Sequence, residues 1–531
     1  MRHSTLVLAF LALPLGAQVS RPPAARRAPA PIPAVAVPCE FSDSTCVAPE
    51  LRREFRGVWV ASVSNIDWPS KQDLSTDEQK AELLTILDRA QAEHLNAVIL
   101  QVRPAADALY KSAIEPWSEY LTGRQGRAPS PAWDPLAFAV EQAHWRGLEL
   151  HAWFNPYRAR HPSAKGPLSK RHIASTSPAL VKKYGTHLWM DPGESAVRKR
   201  TLRVILDVVK RYDIDGVHLD DYFYPYKEKT ASGSTQFPDT RSWKRYVKSG
   251  GALSRDDWRR ENVNTLVRQL NEQVHKAKPW VKFGVSPFGI WRPGYPEQIK
   301  GFDAYEQLYA DSKLWWVNSW VDYLTPQLYW NIGKAEQSFP VLLRWWGEQN
   351  ATGRHLWPGL YTSRVKERTP AGNGMLANNA WVADEIVAQV DSARANPRSS
   401  GTVHFSMKAF LTDQGGVGSR LAEQVYGDVA LVPPSPWMTK ATPSTPTVRV
   451  KKNVATGGLS LTMTLPKPQV ARWYLLQLRT GGAWTGRLVA ACACSEEITP
   501  NREGQLPSHV VVTALDRAGV ASPAVRLTVV R

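Results

Sequence analysis

Apolar, strand-like runs alternate with amphipathic helical segments between residues 55 and 410. The eight strand candidates are 55–61, 97–103, 148–155, 216–221, 281–287, 321–329, 356–361 and 402–408. Helical patterns separate them, at about 75–93, 135–146, 194–212, 254–276, 304–318, 336–349 and 379–395. Eight strand–helix repeats predict an α/β fold, a (β/α)8 TIM-type barrel. An open doubly wound sheet is the alternative, but no Gly-rich phosphate-binding turn follows the first strand.

Side chains alternate within the strand candidates, so one face of each is more polar than the other. In the second candidate Val98, Leu100 and Val102 face the predicted helices, which leaves Gln101 and Arg103 pointing into the barrel. The other inward-facing sets are His151, Trp153 and Asn155 in the third, Tyr323, Thr325, Gln327 and Tyr329 in the sixth, and His404, Ser406 and Lys408 in the eighth. Each set becomes more polar towards the C-terminal end of its strand, where barrels of this type bind their substrates.

The fourth strand candidate leads into two consecutive carboxylates, in the sequence DGVHLDDYFYPY at 215–226. Val217 and Leu219 share one face of the strand, whereas His218 and Asp220 share the other. Asp220 is therefore expected to point into the mouth of the barrel. A single Asp at a strand end more often caps the next turn, but two carboxylates followed by three tyrosines favour a sugar site.

A linker and a second domain follow the barrel. Pro-rich sequences place the linker at 432–446, which makes 51–431 the barrel domain. Residues 447–531 show short alternating strands, at about 448–450, 459–465, 473–478, 510–514 and 525–530. This pattern predicts a small all-β sandwich that folds independently and is dispensable for chemistry. Segment 511–519 resembles the penultimate-strand region of fibronectin type III modules.

The first 50 residues carry an export pattern. Residues 1–17 resemble a secretory signal peptide, with Arg2 and His3, an apolar run at 6–15 and then Gly16-Ala17. That run is too short to cross a bilayer, and no other apolar run approaches membrane length. Residues 18–50, rich in Pro, Ala and Arg, predict a disordered tether. We therefore expect an exported protein, periplasmic or extracellular, either free or associated with the cell envelope.

Four cysteines fit an oxidising compartment. Cys39 and Cys46 bracket a short loop and could close a disulfide. Cys492 and Cys494 are one residue apart, so that a mutual bond would be strained and a metal site incomplete.

Composition points to a carbohydrate or another polymer. The chain has 22 Trp and 17 Tyr, whose flat faces stack well on sugar rings, although core packing accounts for a share of them. Its formal net charge is +18, without a Lys/Arg-rich block, zinc-type Cys/His spacing or a nucleic-acid module. This argues against nucleic acid and leaves an anionic polymer, or simple solubility, as the reason for the charge.

Several motifs together resemble the glycosyl-hydrolase-like family 10. They are FRGVWV at 55–60, NIDWP at 65–69, QVRP at 101–104, WFNPYR at 153–158, the 215–226 sequence, SPFGIWR at 286–292 and TPQLYW at 325–330. The resemblance runs from about residue 52 to 410 and covers the whole proposed barrel. It implies a barrel glycosidase of bacterial cell-wall glycan, notably peptidoglycan strands stripped of their peptides.

Better-known barrel classes match only in part. The sequence GVHLD at 216–220 is similar to the fourth-strand motif of α-amylase-type barrels, whose final Asp is the nucleophile. Here His218 stands where that pattern has Arg, and no Glu ends the fifth strand. Chitinase-type barrels have their catalytic Glu at the position of Tyr222. The catalytic acid therefore cannot be carried over from either class.

Glycoside cleavage needs an acid that protonates the leaving oxygen and a carboxylate that acts as nucleophile or activates water. We expect Asp220 to take the second role. The acid is left open between Asp221, which can help only if the strand has already ended there, and Asp67, in the loop after the first strand. Glu297 and Asp303 are weaker alternatives.

Residues at the same rim are candidates for substrate binding: Arg103, Asn155, His218, Tyr222, Trp291, Gln327, Tyr329 and Trp330. Hydrogen bonding or packing inside the barrel is the alternative for each. His218, directly below Asp220, is expected to orient that carboxylate rather than to bind a metal. With no second His at ligand spacing, we expect neither a catalytic metal nor another cofactor.

These expectations describe an exported glycoside hydrolase of a cell-wall polysaccharide, with peptide-free peptidoglycan strands as the expected substrate. The basic charge, with Arg103, Arg158 and Arg292 near the rim, predicts an anionic glycan. The alternatives are a non-catalytic glycan-binding protein of the cell envelope and an α-glucan hydrolase of amylase type. A carbohydrate esterase is disfavoured because no Ser-centred nucleophile motif or His/Asp metal set occurs.

Overall fold

The computed structural model describes residues 36–40, 43–230, 233–366, 381–439, 442–466, 471–491 and 495–530. The predicted signal peptide, residues 18–35 of the predicted tether, and Cys492 and Cys494 lie outside these ranges. Within them, no helix combines the length and apolarity needed to cross a membrane.

The larger domain is a closed barrel of eight parallel strand positions. The first six strands are Phe55–Val60, Ala97–Arg103, Glu149–Phe154, Gly216–Leu219, Lys282–Val285 and Tyr323–Leu324; the seventh has two short pieces, His355–Leu356 and Gly359–Leu360, and the eighth is Gly401–His404. The ring closes through the seventh position, because its first piece pairs with the sixth strand and its second piece with the eighth. The eighth strand pairs in turn with the first. The predicted (β/α)8 fold is thus confirmed.

The longer helices of the barrel domain are Thr76–Ala92, Pro135–Trp145, Ser195–Arg211, Thr240–Lys248, Arg255–Ala277, Phe339–Glu348, Ala383–Ala395 and Val417–Gln424. Ser75 opens the first of them with a capping box, in which its side chain accepts from the Glu78 N–H. The helix predicted at 304–318 is two short ones, Ala304–Gln307 and Ser312–Val317. Glu119–Thr122 and Ile173–Thr176 are further short helices.

The eighth strand is shorter than predicted. It ends at His404, and the helix Met407–Leu411 follows, so Lys408 does not belong to an inward-facing strand set. The chain turns here because Asp67 accepts hydrogen bonds from the Ser406 hydroxyl and the Lys408 backbone N–H.

Two apolar layers line the two faces of the strands. Residues such as Val98, Leu100, Leu150 and Val217 pack between the strands and the helices, as predicted. The barrel interior is filled largely by aromatic side chains, including Phe55, Trp59, Trp153, Tyr323 and Trp357.

Glycines make room for rings inside the barrel. A Cβ at Gly216 would lie 2.5 Å from the His151 ring, and one at Gly284 would lie 2.1 Å from the Tyr323 ring. Both positions therefore need Gly so that His151 and Tyr323 can meet at the barrel axis.

The C-terminal domain is a sandwich of two antiparallel sheets, as predicted. One sheet contains Thr447–Asn453, Gly458–Thr464 and Ser495–Ile498; the other contains Ala36–Pro38, Val525–Val529, His509–Asp516, Ala471–Thr480 and Ala483–Ala490, in that order. The prediction missed Ala483–Ala490 and Ser495–Ile498. The likeness to fibronectin type III modules stays a prediction.

The segment before the barrel belongs structurally to the sandwich. Ala36–Pro38 pairs with Val525–Val529 at the sheet edge, and a disulfide joins Cys39 and Cys46, which confirms that pairing. The disordered tether predicted for 18–50 is therefore wrong for this part, because backbone pairing and the disulfide fix it. Asp43 and His509 approach Cys46, but the sulfur of Cys46 is already bonded to Cys39.

The sandwich packs against the N-terminal end of the barrel strands. Arg517 and Arg472 form ion pairs with Asp213, just before the fourth strand, at 2.7 and 3.1 Å. Leu431 packs there against Leu475 and Leu515. The C-terminal ends of the strands, where barrels of this type carry their chemistry, lie at the opposite end.

Candidate active site

Asp220 and Asp221 lie just beyond the fourth strand, which ends at Leu219. Because the strand has ended, the two consecutive side chains need not project to opposite faces. Asp221 was expected to help in catalysis only if the strand ended before it, and it does. Both carboxylates are buried, with 4% and 3% of each residue exposed.

The third strand and the residue after it hold Asp220. Its Oδ2 accepts hydrogen bonds from the Trp153 indole N–H, at 3.2 Å, and from the Asn155 side-chain amide. Its Oδ1 accepts a longer bond from the backbone N–H of Tyr222, at 3.3 Å. The inward alternation of Trp153 and Asn155 thus converges on one carboxylate oxygen.

A relay of side chains fixes the amide of Asn155. Gln101 donates to Asn155 Oδ1 at 2.6 Å, and Arg158 donates to the same oxygen at 2.7 Å. Gln101 is itself fixed, because its Oε1 accepts from the backbone N–H groups of Ser62 and Val63. With its oxygen occupied by two donors, the amide must present its NH2 group to Asp220.

Asp221 is held from the other side. The Tyr226 hydroxyl donates to its Oδ2, and the side chain of Gln327, after the sixth strand, lies close enough to favour its charged form. Gln327 is fixed by its bond to the Ser286 carbonyl oxygen, at 2.9 Å.

Burial raises the pKa of both carboxyl groups. The pKa of Asp220 rises to about 7, because loss of hydration outweighs the nearby Arg158 cation and the Asp221 charge adds to the rise. The pKa of Asp221 is also raised by burial, against the lowering effect of Tyr226 and Gln327. The two adjacent carboxyl groups therefore titrate as a pair, in which the charge of one favours the protonated form of the other.

His218 lies in a buried hydrogen-bond chain below the pair. Its Nε2 accepts from the Trp59 indole N–H at 3.1 Å, and an indole can only donate. The imidazole therefore carries its proton on Nδ1, which faces the Tyr323 hydroxyl at 3.0 Å. Burial also lowers its pKa well below the usual range. His218 is therefore a neutral interior residue, fully buried, and does not reach a bound sugar.

Asp67 is tied into the barrel framework. Its Oδ1 accepts from Ser406 Oγ at 2.7 Å and the Lys408 N–H at 2.8 Å, and its Oδ2 accepts from the Ala61 N–H at 2.8 Å. These three donors join the loops after the first and eighth strands. Glu297 is exposed, and Asp303 caps the helix Ala304–Gln307 by accepting from the Glu306 N–H.

Arg103 does not face the mouth as expected. It is fully buried, and its Nε and Nη2 each lie 2.7 Å from an oxygen of Glu115. Its Nη1 donates to the carbonyl oxygens of Asn155 and Pro156. Arg103 therefore shapes the loop that carries Asn155, and its full burial and its pairing with Glu115 keep it from a substrate carboxylate. Arg292 likewise pairs with Asp303 and Glu306, at 3.4 and 3.2 Å.

Arg158 is the cation beside the Asp220–Asp221 pair. It donates from Nε to the Pro104 carbonyl oxygen at 2.8 Å and from Nη2 to Asn155, and its guanidinium lies over the Tyr222 ring. Within the described ranges, no salt bridge engages it and no acceptor is bound to its Nη1.

The predicted aromatic residues divide into two groups. Tyr222 and Tyr329 adjoin the pair, since Tyr222 packs against Tyr226 and the pKa of Tyr329, raised by burial, is raised further by the Asp221 charge. Trp330 packs edge-on against Phe288. Trp291 instead donates to Asp311 and stacks on Trp345, which places it among the helices after the fifth strand.

Residues 54–373 match the model of the family described as Glycosyl hydrolase-like 10. The chain belongs to this family. Glycosyl hydrolase YngK of Bacillus subtilis (strain 168) is 43% identical over 403 residues, which cover 74% of this chain and 76% of the relative. Glycosyl hydrolase DigH of Escherichia coli (strain K12) is 34% identical over 372 residues, covering 66% and 82%.

One solved structure with a weaker likeness is the PgaB (BpsB) glycoside hydrolase domain from Bordetella bronchiseptica. It aligns with a TM-score of 0.45 and 11% identity over 69% of this chain and 98% of that domain. The family membership and the barrel together confirm the prediction of a glycoside hydrolase.

All the predicted site residues, from Asp67 to Trp330, fall within the Glycosyl hydrolase-like 10 match. The sequence predicted the Asp220–Asp221 pair, Asn155, Gln327 and Tyr329 as site residues. It counted Tyr226 only among the three tyrosines that favour a sugar site, and it gave Gln101 and Trp153 no role beyond facing inward. Inward alternation would have found Gln101 and Trp153, whereas the reach of Tyr226 back to Asp221 depends on the loop.

Proposed function

We propose that this hydrolase is exported and cleaves an anionic cell-wall polysaccharide, namely peptidoglycan strands without their peptides. The observation that carries the proposal is the buried Asp220–Asp221 pair at the barrel mouth with Arg158 beside it. Carboxyl groups supply acid–base chemistry at a glycosidic bond, and the guanidinium supplies a partner for a negative charge on the glycan.

Asp220 is the better acid of the pair. With its pKa raised to about 7, a large fraction is protonated at neutral pH, and the oxygen away from Trp153 and Asn155 can give its proton to the leaving group. Asp221, which accepts from the Tyr226 hydroxyl and has the Gln327 side chain beside it, is the better candidate to stay ionised. The sequence led us to expect Asp220 as the nucleophile or water activator and Asp221 or Asp67 as the acid, so the role proposed for Asp220 has changed. Asp67, with three protein donors, supports the loops instead.

Arg158 replaces Arg103 as the residue that recognises the anion. Muramic acid bears a lactyl carboxylate once its peptide is removed, whereas with the peptide attached that group is amidated and bulky. A charge-assisted hydrogen bond to a carboxylate contributes about 1.5–3 kcal/mol. Arg158 therefore supports a preference for peptide-free strands.

The deciding experiment is digestion of four substrates by the full chain: intact peptidoglycan, amidase-treated strands, chitin oligomers and starch. Mass spectrometry of the products should show cleavage of the amidase-treated strands well above the other three, and none by Asp220→Asn. Equal activity on chitin oligomers would remove the role of the charge. Activity confined to starch would place the enzyme with α-glucan hydrolases.

Export is tested separately. The charged start, the short apolar run and Gly16-Ala17 support cleavage near Gln18. N-terminal sequencing of the protein from a cell fraction outside the cytoplasm should begin near that residue, and an intact Met1 in a membrane pellet would contradict export.

A further inference from the structure

We infer that the sugar supplies its own nucleophile: the carbonyl oxygen of its 2-acetamido group attacks the anomeric carbon while Asp220 acts as acid and Asp221 holds the acetamido N–H. The inference rests on the proposed function, because it takes the substrate to be a glycan of 2-acetamido-2-deoxy sugars. It adds the class of reaction and the role of each carboxylate.

The first support is the common origin of the two carboxylates. Both leave the end of one strand, Gly216–Leu219, in consecutive residues. Asp220 is held towards the third strand by Trp153 and Asn155, and Asp221 towards the sixth strand by Gln327. Because they are consecutive residues, both reach a sugar from the wall of the barrel mouth at the end of the fourth strand, although their side chains are held towards different neighbours. An acid and an enzyme nucleophile must instead flank the scissile bond, one on each side.

The second support concerns the other buried carboxylates in the loops that follow the C-terminal ends of the barrel strands. Within the described parts of the chain, each has fixed partners. Asp67 has three donors, Asp107 accepts from the Ala105 N–H at 3.0 Å, and Glu115 pairs with Arg103. Glu119 accepts from the Lys165 and Gly166 N–H groups, Asp191 accepts from Ser242, and Asp239 pairs with Arg259. None of these is an unengaged carboxylate that could serve as the opposing nucleophile.

The third support is that Asp220 and Asp221 have different hydrogen-bond partners. Asp220 has one oxygen bound by two N–H donors, and its other oxygen accepts a single bond at 3.3 Å, which leaves that oxygen suited to carry a transferable proton. Asp221 is oriented by the Tyr226 hydroxyl and by Gln327. An oriented, ionised carboxylate is what an acetamido N–H needs when its nitrogen becomes positive.

The Asp220 proton passes to the glycosidic oxygen as the bond from that oxygen to C1 breaks, and the acetamido oxygen forms a new bond to C1. The resulting oxazolinium ion has its N–H bound by the Asp221 carboxylate. Water then attacks C1 and gives a proton to Asp220, the bond from C1 to the acetamido oxygen breaks, and the acetamido group is restored. Two displacements at C1 give retention of configuration.

The test compares chromogenic or glycan-strand substrates that differ only in the N-acyl group: acetyl, monofluoroacetyl, difluoroacetyl and trifluoroacetyl. Fluorine makes the carbonyl oxygen a weaker nucleophile, so kcat should fall at each step, by at least about tenfold over the series. A thiazoline analogue of the oxazolinium ion should bind at least about 100-fold tighter than the substrate. Proton NMR should show that the first product retains its configuration.

Three results would overturn the inference while leaving the proposed function intact: a flat N-acyl series on an enzyme that cleaves wall strands, an inverted product, or a covalent glycosyl adduct on Asp221. Azide with Asp221→Ala is a matched control. A glycosyl azide of inverted anomeric configuration is expected if Asp221 is the enzyme nucleophile, whereas azide attack on the oxazolinium ion gives retention. Failure to cleave any 2-acetamido glycan would overturn both proposals.

Discussion

Asn155 donates its side-chain amide to Asp220 across the gap between the third and fourth strands. The amide can only point this way because Gln101 and Arg158 occupy its oxygen. A carboxylate that must change its protonation state is therefore held by a group that cannot rotate. Such pre-orientation removes the need for rearrangement during the reaction.

Replacing either carboxylate should abolish turnover without unfolding the barrel. For Asp220→Asn and Asp221→Asn we expect kcat to fall at least about 1000-fold, or roughly 4 kcal/mol in the barrier. The melting temperature should stay close to that of the wild type, because each Asn removes a buried charge at a similar volume. Near-wild-type rates in both variants, together with an inactive but folded Asp67→Asn, would contradict the assignment.

Removing the Asn155 amide should shift the pH dependence as well as the rate. A hydrogen bond to an ionised carboxylate lowers its pKa, so Asn155→Ala should raise the pKa of Asp220 and move the basic limb of the pH profile upwards. Loss of a bond to a charged group is expected to lower kcat about 10- to 100-fold. Trp153→Phe, which keeps the ring and removes only the N–H, is the matched control and should act in the same direction. A lower kcat with no shift in the basic limb of the pH profile would indicate that Asn155 has a structural role only.

The wild-type profile tests which carboxylate is the acid. With the pKa of Asp220 at about 7, the protonated form is present below pH 7 and is lost above it. As an acid, Asp220 gives a kcat/KM that falls as the pH rises through about 7. As a nucleophile it must be ionised, and kcat/KM would rise through the same value. At the acid end activity should fall as Asp221 becomes protonated.

Arg158→Met should reduce the preference for peptide-free strands. The expected loss is about 10- to 100-fold in kcat/KM on the carboxylate-bearing glycan. On chitin oligomers the loss should be distinctly smaller, because Gln101 still fixes the oxygen of Asn155. The wild-type advantage should also shrink with added salt. Arg292→Met is the comparison, because Arg292 is already paired with Asp303 and Glu306. An equal loss on both glycans would mean that Arg158 acts only through Asn155.

The barrel was predictable because its strands repeat a simple pattern, with Val217 and Leu219 facing the helices and His218 the interior. The same alternation placed Asn155 beside Asp220 and Gln327 near Asp221. It could not show that Arg103 is neutralised by Glu115, because that partner comes from a loop twelve residues further on. Nor could it show that Ala36–Pro38 joins a sheet whose other strands come from residues 471–529. Contacts set by loops and by distant segments have no local period.

The sandwich should matter for stability and not for chemistry. It packs at the end of the barrel marked by Asp213, and the fourth strand, about 13 Å long, separates that end from Asp220. Removing it exposes Leu431, which is 4% exposed when packed against Leu475 and Leu515. A chain ending at residue 431 should therefore unfold at a lower temperature, while its folded fraction keeps the wild-type kcat on short soluble oligosaccharides.

Two point variants can separate packing from charge at this interface. Leu475→Ala should cost about 2–3 kcal/mol of unfolding free energy, because it leaves a cavity in a buried cluster. Arg517→Gln should cost at most about 1 kcal/mol, because its pair with Asp213 is partly solvated. Thermal and denaturant unfolding, with kcat measured below the transition, checks both variants. If the chain ending at residue 431 were folded but inactive, or if either variant lowered kcat while folded, the interface would act on the site and the separation of roles would be wrong.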